Sequence, residues 1–286
     1  MSSVQRELSR ISRQIHSVCA PLITRLRWHH SKVFHATIKR HDLPRQLLIS
    51  LTSYPPRFKK LHLTLKSLLT QSVKPDQVVL WIAEADMGLL PQSVLRLQSQ
   101  DFQIKSTQDL RSYKKIIPAL AHYPDAFIVT ADDDLYYRRD WLAQMVDAQI
   151  KHPGHIICHR VHQIRQSNDN HFKAYRHWPK NSPVTGNSKS YFPTSGAGAL
   201  YPPGSLSEKT SDVDELLRLA PYADDVWLYW MARLAKTEIY NLGNRDLLIA
   251  WRGSQSSTLY KINVIDSQND TQIAAMGSHF GYPPLE

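Results

Sequence analysis

Apolar residues recur at three- and four-residue steps through the start of the chain, at Val4, Leu8, Ile11, Ile15, Val18, Leu22 and Leu26. That spacing predicts one amphipathic helix. From Gln46 the pattern changes to short apolar runs alternating with segments of helical period, which predicts an α/β domain with a mostly parallel central sheet flanked by helices. Strands are expected at 47–51, 77–82, 102–105, 126–130 and 155–159. Helices are expected at 57–69, 92–98, 113–121, 140–151, 213–219 and 224–234. The stretch from 160 to 190 is rich in Gly, Pro, Asn and Ser and reads as loop. His41-Asp42-Leu43-Pro44 reads as the boundary between a helical segment, 1–45, and a larger domain, 46–286.

Composition adds limits. A chain of 286 residues with 42% hydrophobic content can bury a sizeable core, and no apolar run approaches the ~20 residues of a membrane span. Cys19 and Cys158 are too few for a disulfide framework, so a reducing, intracellular compartment is expected. The N-terminus lacks the apolar core and small-residue cleavage site of a secretory signal, so the catalytic region is expected in the cytoplasm.

Charge is unevenly placed. The net charge is +10, and residues 1–45 hold nine Lys/Arg against Glu7 and Asp42, which leaves +7 there. The basic amphipathic segment either packs its stripe on the domain, or it adheres to an anionic membrane as a peripheral contact on the inner face of the plasma membrane. No nucleic-acid partner is expected, because no helix-turn-helix, zinc-finger or ribonucleoprotein signature accompanies the charge.

The chemistry gathers at strand ends. The predicted strand 126–130 runs into Asp132-Asp133-Asp134, and ligands of open α/β sheets collect at the carboxyl ends of strands. Three adjacent carboxylates repel one another unless a cation joins them, and Mg²⁺ or Mn²⁺ prefers such oxygen ligands; a solvated turn is the alternative. Asp224 and Asp225 open a predicted helix, where they either cap it or remove a proton from an acceptor hydroxyl. Lys114 and Lys115 begin another predicted helix, a position that suits a diphosphate or a solvated surface. Arg57 and Tyr54 stand beside the first strand end, and Glu84 beyond the second strand. Gly196 and Gly198 allow close approach of backbone to a ligand, or make a plain turn. His155, His159 and His162 alternate inconsistently for a zinc site and lack a fourth ligand.

The segment 128–137, with Asp132-Asp133-Asp134 at its centre, resembles the DxD element of GT-A glycosyltransferases, and Ser50-Leu51-Thr52-Ser53-Tyr54-Pro55-Pro56-Arg57 resembles their nucleotide-contacting first loop. Ser67-Leu68-Leu69-Thr70-Gln71, Lys74-Pro75-Asp76, the segment 113–120, the run Gly196 to Pro203 and Ala223-Asp224-Asp225-Val226-Trp227-Leu228 are together similar to a bacterial group of such enzymes linked to surface-polysaccharide assembly. The resemblance spans 46–286. It implies a GT-A-like, Rossmann-type fold and a metal-dependent transfer of sugar from a nucleotide-diphosphate donor, a UDP-sugar first, to a hydroxyl of a glycan or lipid-linked acceptor. It further implies Asp132 and Asp134 as metal ligands, with Asp134 the more direct, His279 completing the shell, and Asp132 or Asp133 at the ribose. Thr52 and Ser53 would contact the nucleotide, Arg57 would hold phosphate, Tyr54 would stack on the nucleobase and Glu84 would accept from it. Gly196 and Gly198 would let backbone approach the sugar, and Asp225, or its neighbour Asp224, would be the general base. Two other readings stay open. A sugar nucleotidyltransferase shares such a core but carries a Gly-rich loop after its first strand, where this chain has Thr52-Ser53-Tyr54-Pro55-Pro56; the second is a non-catalytic membrane-surface adaptor.

Overall fold

A computed structural model of the chain describes residues 3–33, 39–243, 248–254 and 268–285, with side chains from Ser17 onward. The main sheet has eight strands: β1 (Leu47–Thr52), β2 (Gln77–Ala83), β3 (Phe102–Thr107), β4 (Phe127–Ala131), β5 (Ile156–Cys158), β6 (Gly186–Asn187), β7 (Ala199–Tyr201) and β8 (Ile239–Asn241). Their spatial order is β6-β8-β5-β7-β4-β1-β2-β3. Strands β3, β2, β1 and β4 run parallel, and so do β5 and β8. Strand β7 enters antiparallel between β4 and β5, and β6 is antiparallel to β8 at the edge. The expected α/β class, with a mostly parallel central sheet flanked by helices, is the observed one.

Strands β1, β2 and β4 are buried almost throughout and mostly apolar because both sheet faces are covered. Successive residues serve opposite sides. Leu47, Ile49 and Leu51 pack with Leu61, Leu65 and Leu68 of α2 (Phe58–Leu68) and with Leu142 and Met145 of α5 (Trp141–Lys151). On the other face Leu48, Trp81 and Ile128 join Trp227 and Trp230 of α7 (Asp224–Leu234) and Ile273 and Met276 of α8 (Gln268–Phe280).

The helix expected at 92–98 is the shorter α3 (Gln92–Leu95). The single helix expected at 113–121 is a 3-10 segment, Arg111–Lys115, followed by the short α4 (Ile117–His122), because Pro118 suits only the first turn of a helix. The loop-like stretch 160–190 contains the edge strand β6 and Val161–Gln163, which pairs antiparallel with Tyr191–Pro193 just beyond it. The N-terminal helix α1 (Ser3–Val33) is present, but Val18, Leu22 and Leu26 of its stripe are exposed, and the opposite side, Ala20 and Thr24, is buried. Val4, Leu8, Ile11 and Ile15 have side chains outside the described residues. Among the described residues no helix is long and apolar enough to cross a membrane.

Candidate active site

Strand β4 ends at Ala131, so the three aspartates project from the carboxyl edge of the sheet. Their loop is held from below. The Thr64 hydroxyl bridges the carbonyls of Asp133 and Leu135 at 2.8 and 3.0 Å, and the Trp251 indole N–H donates to that hydroxyl at 2.7 Å. The Trp251 amide donates to the Asp134 carbonyl at 3.0 Å. The Tyr137 hydroxyl accepts from the Asp132 amide at 2.7 Å and donates to the Gly196 carbonyl at 3.2 Å, which ties the acidic loop to the segment that enters β7.

The antiparallel entry of β7 explains why that segment is there. Ala199 pairs with both Thr130 and Cys158, so residues 195–198 cross the ends of β4 and β5 beside the aspartates. A Cβ on Gly196 would lie 2.5 Å from Asp132 Oδ2. One on Gly198, whose φ is +106°, would lie 2.5 Å from the Trp141 ring, so both glycines are required by close approach.

The acidic loop is met by cations of the same chain. Arg57 Nη1 lies 2.7 Å from Asp133 Oδ1 and 3.0 Å from Asp134 Oδ2. Lys115 Nζ lies 2.9 Å from Asp132 Oδ1 and 3.0 Å from Asp224 Oδ2, and its side chain is only 5% exposed. Lys115 is held in place through Ser50, whose hydroxyl donates to the Lys115 carbonyl at 2.6 Å and accepts from the Trp81 indole at 2.9 Å. Asp224 and Asp225 do not cap α7; both reach into this cluster. Asp224 Oδ2 accepts from the Ser195 hydroxyl at 3.2 Å, and Asp225 Oδ1 accepts from the Ser195 amide at 2.8 Å. Gln272 of α8 fixes the entry to α7 by accepting from the amides of Tyr222 and Ala223.

Electrostatics separate these carboxyls. Burial works against the charge of Asp132, but Lys115 outweighs it and holds that carboxyl below the ordinary range. Burial pushes Asp133 up despite Arg57. Asp134 is pushed up to about 7, by burial and then by the charge of Asp132. Asp225 is pushed up to about 6, by burial and then by Asp224. Burial disfavours the charge of Lys115, yet its aspartate partners hold it above the usual lysine value.

Several expected site residues have partners within the protein. Asp133 faces inward, accepting from the Ser53 hydroxyl at 2.5 Å and from Arg57, so the side chains of Ser53 and Arg57 hold the acidic loop. The Thr52 hydroxyl donates to the Trp81 carbonyl at 2.8 Å. Tyr54 lies under the Arg57 guanidinium, 5.6 Å from it, and Glu84 is exposed where β2 ends. Lys114 is bound to Asp109, and Lys115 ends a 3-10 segment and begins no helix. His279 is the clearest correction. It pairs with Glu215 at 2.6 Å near Lys209 and Arg218, because α8 presents its C-terminal end to α6 (Val213–Leu219), so it does not join the aspartates. The rejected zinc set is taken up by packing: the buried His159 bonds to the Trp141 carbonyl at 2.9 Å, and His162 accepts from the Asn181 amide. Burial lowers their pKa values to about 4 and about 3, which keeps both neutral.

Arg160 is a member that sequence reasoning missed. It stands two residues after β5, its Nε donates to the Thr194 hydroxyl at 2.5 Å, and it acts electrostatically on Asp132 and Asp225. A charged residue directly after the expected strand 155–159 was the available signal. Among the described residues five carboxylates therefore face three cations, Arg57, Lys115 and Arg160, and two negative charges remain in excess there when all are ionised. Among the described residues no group of three His, Cys, Asp or Glu makes a metal cage. Mg²⁺-type sites, however, take one or two carboxylates and complete their shell with substrate phosphate and water. Asp132 and Asp134, with that excess charge, fit this kind of donor set.

No protein-family model and no curated protein matches the sequence. Solved structures with a similar course of the chain include Staphylococcus aureus TarS 1–349 in complex with UDP, at 13% identity, 70% of this chain, 58% of that one and a TM-score of 0.46. The same protein with UDP-GlcNAc matches at 15% identity, 70% and 56% coverage and a TM-score of 0.46. A 4-diphosphocytidyl-2C-methyl-D-erythritol synthase from Anaerococcus prevotii matches at 11% identity, 79% and 96% coverage and a TM-score of 0.45. The chain spans less than two thirds of the TarS fragment.

Proposed function

We propose that this chain is a glycosyltransferase that moves a sugar from a nucleotide-diphosphate donor, a UDP-sugar first, to a hydroxyl of a glycan or lipid-linked acceptor in surface-polysaccharide assembly. One observation carries the reading. A single buried lysine, Lys115, bridges Asp132 of the proposed donor loop and Asp224, neighbour of the proposed base, so both halves of a transfer reaction share one centre.

In this reading Asp225 is the base. Asp224 is buried and neutralised by Lys115, whereas Asp225 is part-exposed, oriented by the Ser195 amide, and titrates at about 6, a value suited to a base at neutral pH. Its carboxylate takes the proton of the acceptor hydroxyl as that oxygen bonds to the anomeric carbon. The bond from that carbon to the donor phosphate breaks, and the nucleoside diphosphate leaves. Asp132 and Asp134 are the residues that would hold Mn²⁺ or Mg²⁺, which when bound supplies Lewis-acid neutralisation of the diphosphate. Lys115 and Arg57 keep the acidic loop in its functional shape, and Gly196 keeps Asp132 uncovered.

The test is a panel of nucleotide sugars incubated with the purified protein and Mn²⁺ or Mg²⁺, reading release of nucleoside diphosphate. Release from one donor class, stopped by a chelator and by Asp134→Asn, is expected. Consumption of a nucleoside triphosphate with a sugar phosphate, releasing pyrophosphate, would overturn the proposal in favour of nucleotidyl transfer.

A further inference from the structure

Among the described residues ten large hydrophobic side chains are exposed, and five of them lie on α1: Val18 at 64%, Leu22 at 61%, Ile23 at 37%, Leu26 at 60% and Val33 at 52%. Val18, Leu22 and Leu26 follow one another at four-residue steps, and Val33 falls on the same line two turns later. The sequence carries that spacing back through Ile15, Ile11, Leu8 and Val4. The described part of the stripe, from Val18 to Val33, runs about 24 Å along the helix, so its side chains form a continuous row rather than the scattered apolar positions ordinary on a protein surface.

The other side of the helix is attached to the domain. Ala20 packs with Leu63, Tyr136, Ile249 and Trp251, the group that also supports the acidic loop. Arg27 points inward, donating to the Thr70 carbonyl at 2.6 Å and to the Tyr136 hydroxyl at 3.2 Å. The helix thus has one docked face and, opposite it, an apolar face with no described partner.

Charge selects the occupant. Arg25 and Lys32 are exposed and border the stripe on one side, and nine Lys/Arg against two acidic residues occupy positions 1–45. Two copies of the chain meeting along this stripe would bring like charges together. An anionic lipid surface offers hydrocarbon to the stripe and negative headgroups to its border. We infer that α1 is a membrane-docking helix, lying in the plane of an anionic bilayer with Val18, Leu22, Leu26 and Val33 inserted, and that it holds the acidic loop near that surface. This inference stands independently of the reaction proposed above.

Cys19 is exposed beside the stripe and Cys158 is buried, so the full chain can be labelled at Cys19 with an environment-sensitive fluorophore. Titration with phosphatidylcholine vesicles, with and without phosphatidylglycerol, reads insertion; co-sedimentation of unlabelled protein excludes an effect of the label. A blue shift with the anionic vesicles, reduced by salt, is expected. Leu22→Glu and Leu26→Glu, at exposed positions and with unchanged thermal transitions, should each weaken binding at least about tenfold. Binding that ignores these substitutions, or equal binding to neutral vesicles, overturns the inference. So does a dimer in gel filtration that Leu22→Glu converts to monomer, which would make the occupant a second copy.

Discussion

Replacing Lys115 by Met removes the cation that joins Asp132 to Asp224 while keeping most of the aliphatic volume. The ammonium is buried, with partners at 2.9 and 3.0 Å, so its loss leaves two carboxylates facing each other without compensation. Breaking a buried ion pair by removing one partner costs about 3–5 kcal/mol. At about 2 °C per kcal/mol for a chain of this length, the midpoint of thermal unfolding should fall by about 6–10 °C. The sign of the pH dependence follows from Asp132. Its folded pKa is depressed by Lys115, so that stabilisation is present above the unfolded value near pH 4 and is lost as pH falls through the folded one. In Lys115→Met the depression disappears, and the penalty should be largest at neutral pH and shrink toward pH 4, where the carboxyls take up protons. Urea unfolding of both proteins across pH 4–8 measures this. A neutral-pH loss below about 1 kcal/mol, or a loss that does not change with pH, would refute the bridging role of the lysine.

Asp225→Asn should lower turnover by about 10²–10⁴-fold with donor affinity nearly unchanged, and wild-type turnover should rise with pH through about 6; equal losses in turnover and donor binding would count against a base. Because the folded pKa of Asp225 is raised, the folded state binds more protons between about pH 4 and 6, and this group's contribution to stability should fall as pH rises through that window, a slope that Asp225→Asn removes. Gly198→Ala forces a side chain onto φ +106° and into the Trp141 ring, so it should destabilise by at least about 1–3 kcal/mol in urea unfolding. Gly196→Ala displaces Asp132 instead and should lower turnover more than stability; the reverse order would deny Asp132 its place in the site.

The sheet was legible because strands buried on both faces are written as mainly apolar runs, as in Leu47-Leu48-Ile49 and Leu51 of β1 and Val78 to Ala83 of β2. The acidic cluster was legible for the related reason that a run such as Phe127–Ala131 must end where charge begins. What the residues around it do was not. Arg57 was expected on phosphate and holds Asp133 and Asp134, and Lys115 was expected at a helix start and bridges Asp132 to Asp224. Those roles depend on β7 entering antiparallel between β4 and β5, and on the segment between β3 and β4 folding back over Ser50. Neither leaves a period in the sequence. His279 was misplaced because a motif shared with a family says nothing of where the end of α8 points, and here Glu215 receives it.

Calorimetric titration of the full chain with UDP, with and without Mn²⁺, tests the account at its centre. Binding that appears only with the divalent ion, and disappears in Asp134→Asn while Asp225→Asn retains it, is the predicted result. Binding of equal strength with Asp134 removed, or none at all to the wild-type chain with UDP or any other nucleoside diphosphate, would contradict it.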